Sequence, residues 1–214
     1  MTRILLADDH EILREGLESL LKKEPGFEVV ASVGDGRSAL NKTKELKPDV
    51  LILDIGMPEM NGVDVARQVS HEFPDIRIIG LSVHTETLYI KRMIQSGAVG
   101  YLPKDCASDE LCTAIHAVVS GRTYIGKSLM NTTSHGFMVD GVDAWVEQID
   151  RLTVRERQVL QLLAEGCSVK ESGIRLNIST KTAEVHRKNI REKIGIHSIA
   201  ELTKYAIRMG ITEP

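Results

Sequence analysis

The chain has 214 residues, enough for one or two domains, and its 42% hydrophobic and 27% charged residues are typical of a soluble globular protein. Apolar runs stay below the roughly 18–20 residues that a membrane span needs, and the start, MTRILLADDH, turns acidic too early for a signal peptide. We therefore expect a cytoplasmic protein. The net charge is −5 over residues 1–122, −2 over 123–147 and +4 over 148–214. This division predicts two domains with different partners, and the basic one is compatible with nucleic acid.

The first 122 residues alternate short apolar segments with amphipathic helical patterns. The predicted strands are RILLAD (3–8), FEVVASV (27–33), VLILD (50–54), IRIIGLS (76–82) and VGYLP (99–103). Because a helical pattern follows each strand, the sequence predicts an α/β domain of five strand–helix units with a doubly wound parallel sheet. The unbroken apolar runs at 50–53 and 78–81 indicate strands that are buried on both faces.

Polar side chains end or directly follow four of these strands, where ligands bind in open parallel sheets. They are Asp8 and Asp9, Asp54, Ser82 and Lys104, and the strand order 2-1-3-4-5 would bring them to one edge. Three carboxylates this close repel one another, so a divalent cation is the expected compensation. Oxygen ligands with no Cys or His nearby predict Mg²⁺. The alternative is that each residue only caps a helix or a turn.

This set of groups is typical of half of a phosphoryl-transfer site. Asp54 would be the nucleophile, while Mg²⁺ and Lys104 neutralise the oxygens of an incoming phosphoryl group. The hydroxyl of Ser82 would donate to one of those oxygens. The turn formers in GMPEMNG (56–62) would leave Asp54 accessible at the end of its strand.

Residues 123–147 are polar and turn-prone, without a clear period. We interpret them as an interdomain linker in which a short helix would fit. Trp145 is predicted to be a packing residue at the domain junction rather than part of a binding site.

Residues 148–214 carry the signals of four short helices and no strand. TVRE (153–156), SVKE (168–171) and SIAE (198–201) have the form of a capping box, and Ser179 begins a fourth helix without the glutamate. Glycines suited to C-terminal caps are Gly166, Gly195 and Gly210. Helices joined by such short loops predict an all-α, four-helix domain with a helix-turn-helix.

Two groups of motifs resemble known families, and together they cover nearly the whole chain outside the linker. LLADDH, LILDIGMPEMNG, LS and YLPKD resemble the receiver domain of bacterial two-component response regulators. LTVRERQVLQLLAEGCS…LNISTKTAEVHRKNIREKIGI resembles the helix-turn-helix of the NarL/LuxR (FixJ) family. The resemblance implies a receiver over 1–122, a linker over 123–147 and a DNA-binding domain over 148–214.

The resemblance also implies roles for individual residues. Asp54 would be the phosphoacceptor, and Asp8 and Asp9, with Asp54 and the backbone carbonyl of Gly56, would bind Mg²⁺. Ser82 would be the switch hydroxyl, Lys104 the phosphate-sensing lysine and Tyr101 the aromatic residue that changes rotamer. Pro103 departs from the family pattern, which usually has an ordinary apolar residue there, and could stiffen or reposition Lys104.

The basic stretch 179–195 would be the recognition helix, which enters the major groove of double-stranded DNA. Its candidate contact residues are Lys181, Thr182, Glu184, Val185, Arg187, Lys188 and Arg191. Relatives often carry a lysine at the position of Glu184, so the target site should differ from theirs. The alternative is a solvated face of mixed charge, since the helix also carries glutamates.

These observations together predict a transcription factor that a sensor histidine kinase switches by phosphorylating Asp54. We expect it to bind DNA as a homodimer when phosphorylated and to have no membrane partner. One alternative is a regulator that partner binding controls without phosphate. An enzyme is disfavoured because related aspartyl-phosphate phosphatases need a general acid two residues after the nucleophile, where this chain has Gly56.

Overall fold

The structure is a computed structural model, and it describes residues 1–106, 108–129, 152–209 and 211–212. The chain divides into two compact units. One contains the β-sheet, and the other contains the helices that follow residue 152. Among the described residues, no helix combines the length and apolar character needed to cross a bilayer.

The first unit is built on a parallel sheet with the order β2-β1-β3-β4-β5-β6. Its strands are β1 (Thr2–Ala7), β2 (Phe27–Val33), β3 (Val50–Asp54), β4 (Arg77–Ser82), β5 (Gly100–Pro103) and β6 (Tyr124–Ile125). The predicted α/β class, the five strand–helix units and the order 2-1-3-4-5 are confirmed. A strand order that reverses beside β1 creates the crevice at the carboxyl ends of β1 and β3.

In the part of the chain that the structure describes, five helices cover the sheet. They are α1 (Glu11–Leu21), α2 (Gly36–Leu46), α3 (Gly62–Glu72), α4 (Thr87–Gln95) and α5 (Ser108–Val119). All five residues of β3 are buried, as expected for a strand with helices on both faces. Burial of each large aliphatic side chain contributes about 1.5–3 kcal/mol relative to exposure. The central strands therefore hold the strand ends, and with them the candidate site, in fixed positions.

The sheet continues beyond residue 122, where the sequence predicts the end of the first domain, and the bounds of the linker stay a prediction. Tyr124 and Ile125 pair with Gly100 and Tyr101 of β5, and a 3₁₀ helix follows at Lys127–Leu129. Two residues are too few to show a strand period, so sequence reasoning did not identify β6.

Pro103 and Gly126 pack closely together where β6 ends. A Cβ on Gly126 would lie 2.8 Å from Cδ of Pro103, so only glycine fits without a shift. The amide of Gly126 donates to the carbonyl of Tyr101 at 2.8 Å. Because proline has no amide hydrogen, Pro103 cannot extend this ladder, and the chain turns away.

The described part of the second unit consists of four helices, in agreement with the predicted all-α domain. They are α6 (Val154–Ala164), α7 (Val169–Arg175), α8 (Thr180–Ile194) and α9 (Ile199–Arg208). The capping boxes predicted at Thr153 and Ser168 are both present in full. Ser179 and Ser198 cap α8 and α9 with their hydroxyls.

Two of the glycines predicted to end helices do so in left-handed backbone conformations. Gly166 has φ 90° after α6, and Gly195 has φ 70° as the C-cap of α8. Gly210 and Trp145 lie outside the described residues, as does the predicted boundary at 147/148, so those assignments stay predictions.

Candidate functional sites

Asp54 ends β3, and the turn that follows it packs against its backbone and orients its carboxylate. The amide of Gly62 donates to the carbonyl of Ile55 at 3.0 Å, and a Cβ at Gly62 would overlap the carbonyl oxygen of Asp54. The returning chain therefore packs directly on the Asp54 backbone. The amide of Gly56 donates to Asp54 Oδ1 at 3.1 Å, which orients the carboxylate.

Lys104 reaches this carboxylate from the end of β5. Its Nζ lies 2.8 Å from Asp54 Oδ2 and 3.1 Å from Asp8 Oδ2, and its side chain is only 7% exposed. The lysine amide donates to the carbonyl of Ser82 at 2.8 Å. Lys104 therefore lies between two of the three strand-end carboxylates, and the effect of Pro103 on its position stays a prediction.

Burial and the ion pair shift the pKa values of both partners. Burial raises the pKa of Asp54 above the usual carboxyl range, and the Lys104 ammonium offsets this only in part. Burial alone would lower the pKa of Lys104, but Asp54 and Asp8 more than offset it, so that pKa is also raised. The lysine is thus charged at neutral pH, while ionisation of Asp54 is costly without further positive charge.

Asp8, Asp9 and Asp54 come together as predicted, but a histidine joins them. Ligand atoms of these three residues and of His10 all lie within 4.8 Å of one another. The expectation that no His lies near the carboxylates is therefore wrong. His10 directly follows the acidic pair in LLADDH, but no local pattern predicts that its Nδ1 lies beside the carboxylates of Asp8 and Asp9.

The loop between β1 and α1 holds the acidic pair in place. Arg14 donates from Nη1 to the backbone carbonyl of Asp8 at 2.7 Å. Asp8 Oδ1 accepts from the amide of His10 at 2.8 Å, where α1 begins. Asp8 is fully buried, so it combines the capping role weighed as an alternative with a place in the cluster.

Ser82 and Tyr101 lie on the neighbouring strands β4 and β5, and both are buried. Ser82 Oγ accepts from the amide of His84 at 3.0 Å. The hydroxyl of Tyr101 donates to the carbonyl of His84 at 2.8 Å, and burial raises its pKa. The loop after β4 therefore contacts both of the predicted switch side chains through His84.

In the second unit, α7 and α8 form the predicted helix-turn-helix. Asn177 adopts a left-handed conformation, with φ 53°, in the turn between them, which asparagine tolerates better than most residues. A Cβ on Gly173 of α7 would lie 3.1 Å from the carbonyl oxygen of Ile178, so glycine allows the turn to pass close to the helix. Glu156 of α6 and Lys193 of α8 form an ion pair of 2.6 Å.

The predicted contact residues of α8 share one face. Ala183 and Ile190 are buried on the opposite face, while the outward residues are exposed or half-buried: Lys181, Thr182, Glu184, Val185, Arg187, Lys188 and Arg191. Val185, an apolar residue, is 50% exposed on this face. Lys188 forms an exposed ion pair of 3.7 Å with Glu192.

Two family models match the chain. The response regulator receiver domain matches residues 4–116, and the luxR family of bacterial regulatory proteins matches residues 150–206. The two matched regions correspond to the sheet unit and the helical unit of the fold.

Relatives match over nearly the full length. The transcriptional regulatory protein MctR of Rhizobium johnstonii is 36% identical over 209 residues, which are 98% of this chain and 94% of MctR. The oxygen regulatory protein NreC of Staphylococcus epidermidis is 33% identical over 216 residues, 99% of each chain.

The chain is also similar in structure to RcsB of Salmonella enterica serovar Typhimurium, bound to promoter rprA in the presence of phosphomimetic BeF3−. The TM-score is 0.59 at 26% identity, covering 96% of this chain and 98% of that one. A further structure contains two RcsB dimers bound to two parallel DNAs. Both domain matches and the full-length relatives agree, and the chain belongs to the two-component response regulators that join a receiver to a LuxR-family DNA-binding domain.

Proposed function

We propose that Asp54 accepts a phosphoryl group from a sensor histidine kinase and that its phosphorylation controls binding of α8 to double-stranded DNA. The observation that carries this proposal is the contact of Lys104 with Asp54 inside a cluster of carboxylates at one sheet edge. A purely structural ion pair would not need the two further carboxylates of Asp8 and Asp9.

In the proposed step, an oxygen of the Asp54 carboxylate attacks the phosphorus of a phosphohistidine on the kinase. The new P–O bond forms as the P–N bond breaks, and the electron pair of that bond stays on the imidazole nitrogen. The product is an acyl phosphate on Asp54. Nζ of Lys104 already lies 2.8 Å from Asp54 Oδ2, and the hydroxyl of Ser82 on the adjacent strand can donate to a phosphoryl oxygen.

The residues of the cluster fit a hard divalent cation. Asp8, Asp9 and Asp54 present carboxylate oxygens within a few ångströms of one another, and these are the ligands that Mg²⁺ takes. Together with the carbonyl oxygen of Gly56 they would hold the ion. Bound Mg²⁺ would neutralise charge on the phosphoryl oxygens and so favour the transfer.

The site supports a switch rather than an enzyme that rapidly hydrolyses the acyl phosphate. The residue two positions after Asp54 is Gly56, which has no side chain to act as a general acid. The acyl phosphate would therefore persist long enough to change the protein. We propose that the phosphorylated chain binds DNA as a homodimer, which the two RcsB dimers on DNA support by analogy.

The DNA-binding part of the proposal rests on α8. It carries five lysine or arginine residues and two glutamates between 180 and 194, and its candidate contact residues lie on its outward face. Lysine and arginine would neutralise phosphates, while Glu184 and Val185 would face base edges and thymine methyl groups.

Footprinting across genomic DNA, with and without a small phosphodonor, tests the proposal. We expect protected sites that appear or strengthen with the phosphodonor for the wild type and do not change for Asp54→Asn. Footprints that respond equally in both proteins, or in neither, would favour a regulator that partner binding controls without phosphate.

A further inference from the structure

His10 adds a nitrogen atom to a group of oxygen ligands. Its Nδ1 lies 2.8 Å from Asp9 Oδ1 and 3.3 Å from Asp8 Oδ1. Two adjacent ligands of an octahedral cation, with metal–ligand distances of about 2.1 Å, lie about 3 Å apart. The separations seen here match that spacing, so Nδ1 stands where a ligand beside Asp9 would stand.

Nδ1 of His10 lies beside one hydrogen-bond donor and one acceptor, and it cannot form a favourable contact with both. It lies 3.2 Å from Nζ of Lys104, a donor, as well as beside the carboxylate of Asp9, an acceptor. An imidazole nitrogen carries either a proton or a lone pair, so one of the two contacts is always unfavourable. With a cation among the carboxylates, the lone pair of Nδ1 would face the cation.

The side chain is also able to adjust. His10 precedes α1 without making a side-chain cap hydrogen bond, and its side chain is 56% exposed. A small movement of the ring would therefore disturb neither the core nor the start of the helix.

We propose that His10 is an additional ligand of this cation site and makes it favour transition cations that accept imidazole, with Ni²⁺ as the probe. This inference rests on the metal site of the proposed function. Mg²⁺ prefers oxygen ligands and retains water, whereas imidazole suits Zn²⁺, Fe²⁺ and Ni²⁺. Asp8, Asp9 and Asp54 would bind either kind of cation, and His10 would determine the preference between them.

The test measures the dissociation constants of Mg²⁺ and Ni²⁺ for the full chain by calorimetry. Because the chain has seven histidines, only the Ni²⁺ that excess Mg²⁺ displaces is counted as bound at this site. The variants are His10→Ala and, as the control, His197→Ala, which removes an exposed histidine of the second unit.

We expect His10→Ala to weaken displaceable Ni²⁺ binding by at least about tenfold and to leave the Mg²⁺ affinity within about twofold. Retained Mg²⁺ affinity also shows that the site is still folded. His197→Ala should behave as the wild type.

Equal changes in both affinities, or no change in either, would overturn the role of His10 while leaving the Mg²⁺ site intact. A wild type that binds neither cation would contradict the metal site of the proposed function, and the role of His10 with it.

Discussion

The ammonium of Lys104 lies 2.8 Å from the carboxylate of Asp54, although fifty positions separate the two residues in the sequence. The pair joins the ends of β3 and β5 across β4, and Asp8, directly after β1, shares the same ammonium. A change in charge at Asp54 therefore changes the electrostatic interaction with Lys104 at the end of β5.

Lys104→Met tests whether this ammonium holds the carboxylates together. Without it, the buried carboxylates repel each other, and loss of one partner of a buried pair costs up to about 3–5 kcal/mol. Proton uptake by Asp54, whose pKa is already raised, would reduce that cost. We expect lower stability in urea unfolding and partial recovery with Mg²⁺.

Lys22→Met, which breaks the surface pair with Glu18, is the control. It should cost no more than about 1 kcal/mol and show no Mg²⁺ dependence. Indistinguishable variants would refute the role of Lys104.

Gly126→Ala tests whether the last strand is fixed by its contact with Pro103. The added Cβ would lie 2.8 Å from the proline ring, and such overpacking costs about 1–3 kcal/mol. Gly16→Ala is the matched control, because a Cβ there meets open space on α1 and should stabilise by about 0.5–1 kcal/mol. Urea midpoints that shift in the same direction for both variants would contradict this explanation.

The strand ends were predictable because their chemistry follows from topology. Once apolar runs and helical patterns predict a parallel sheet, the residues after β1, β3 and β5 must meet at one edge. Capping boxes could also be predicted from the sequence, because the bonds between Thr153 and Glu156 depend only on local geometry over three residues.

Contacts that depend on side-chain direction or distant packing were not predictable. The sequence shows a histidine after Asp9, but it does not show that Nδ1 of His10 lies beside the carboxylates of Asp8 and Asp9. Gly126 appears as an ordinary linker glycine until Pro103 is seen beside it. The capping box identifies Glu156 as a cap, but nothing local shows that it also meets Lys193.

Glu156→Gln should destabilise the second unit in a way that depends on pH. Although burial opposes it, the bonds from Lys193 and the Thr153 amide lower the pKa of Glu156 below its ordinary value of 4.5. A lowered pKa contributes stability that is present above the ordinary value and is lost as the pH falls through the folded-state value. We expect a cost of about 1.5–3 kcal/mol at pH 7 that shrinks below pH 4.5. Thermal unfolding at pH 7 and pH 3.5 measures it, and an equal cost at both values would exclude a charged Glu156.

Lys188 and Glu184, one helical turn apart on α8, should affect DNA binding differently. If Lys188 contacts phosphate, Lys188→Ala should weaken binding to all sequences alike and reduce the slope against log salt by about 0.9. If Glu184 accepts from a cytosine, Glu184→Ala should cost about 1–3 kcal/mol on the true site and little on scrambled DNA. Binding assays at two salt concentrations separate these effects. Uniform tightening by Glu184→Ala would mean that this carboxylate only repels phosphate.

The most direct test of the central claim is the intact mass of the chain after incubation with a small phosphodonor and Mg²⁺. The wild type and Asp75→Asn, which changes an exposed aspartate away from the cluster, should each gain one phosphoryl group. Asp54→Asn should gain none, and a chelator should suppress labelling of the wild type. A phosphoryl group that still appears on Asp54→Asn would contradict the account.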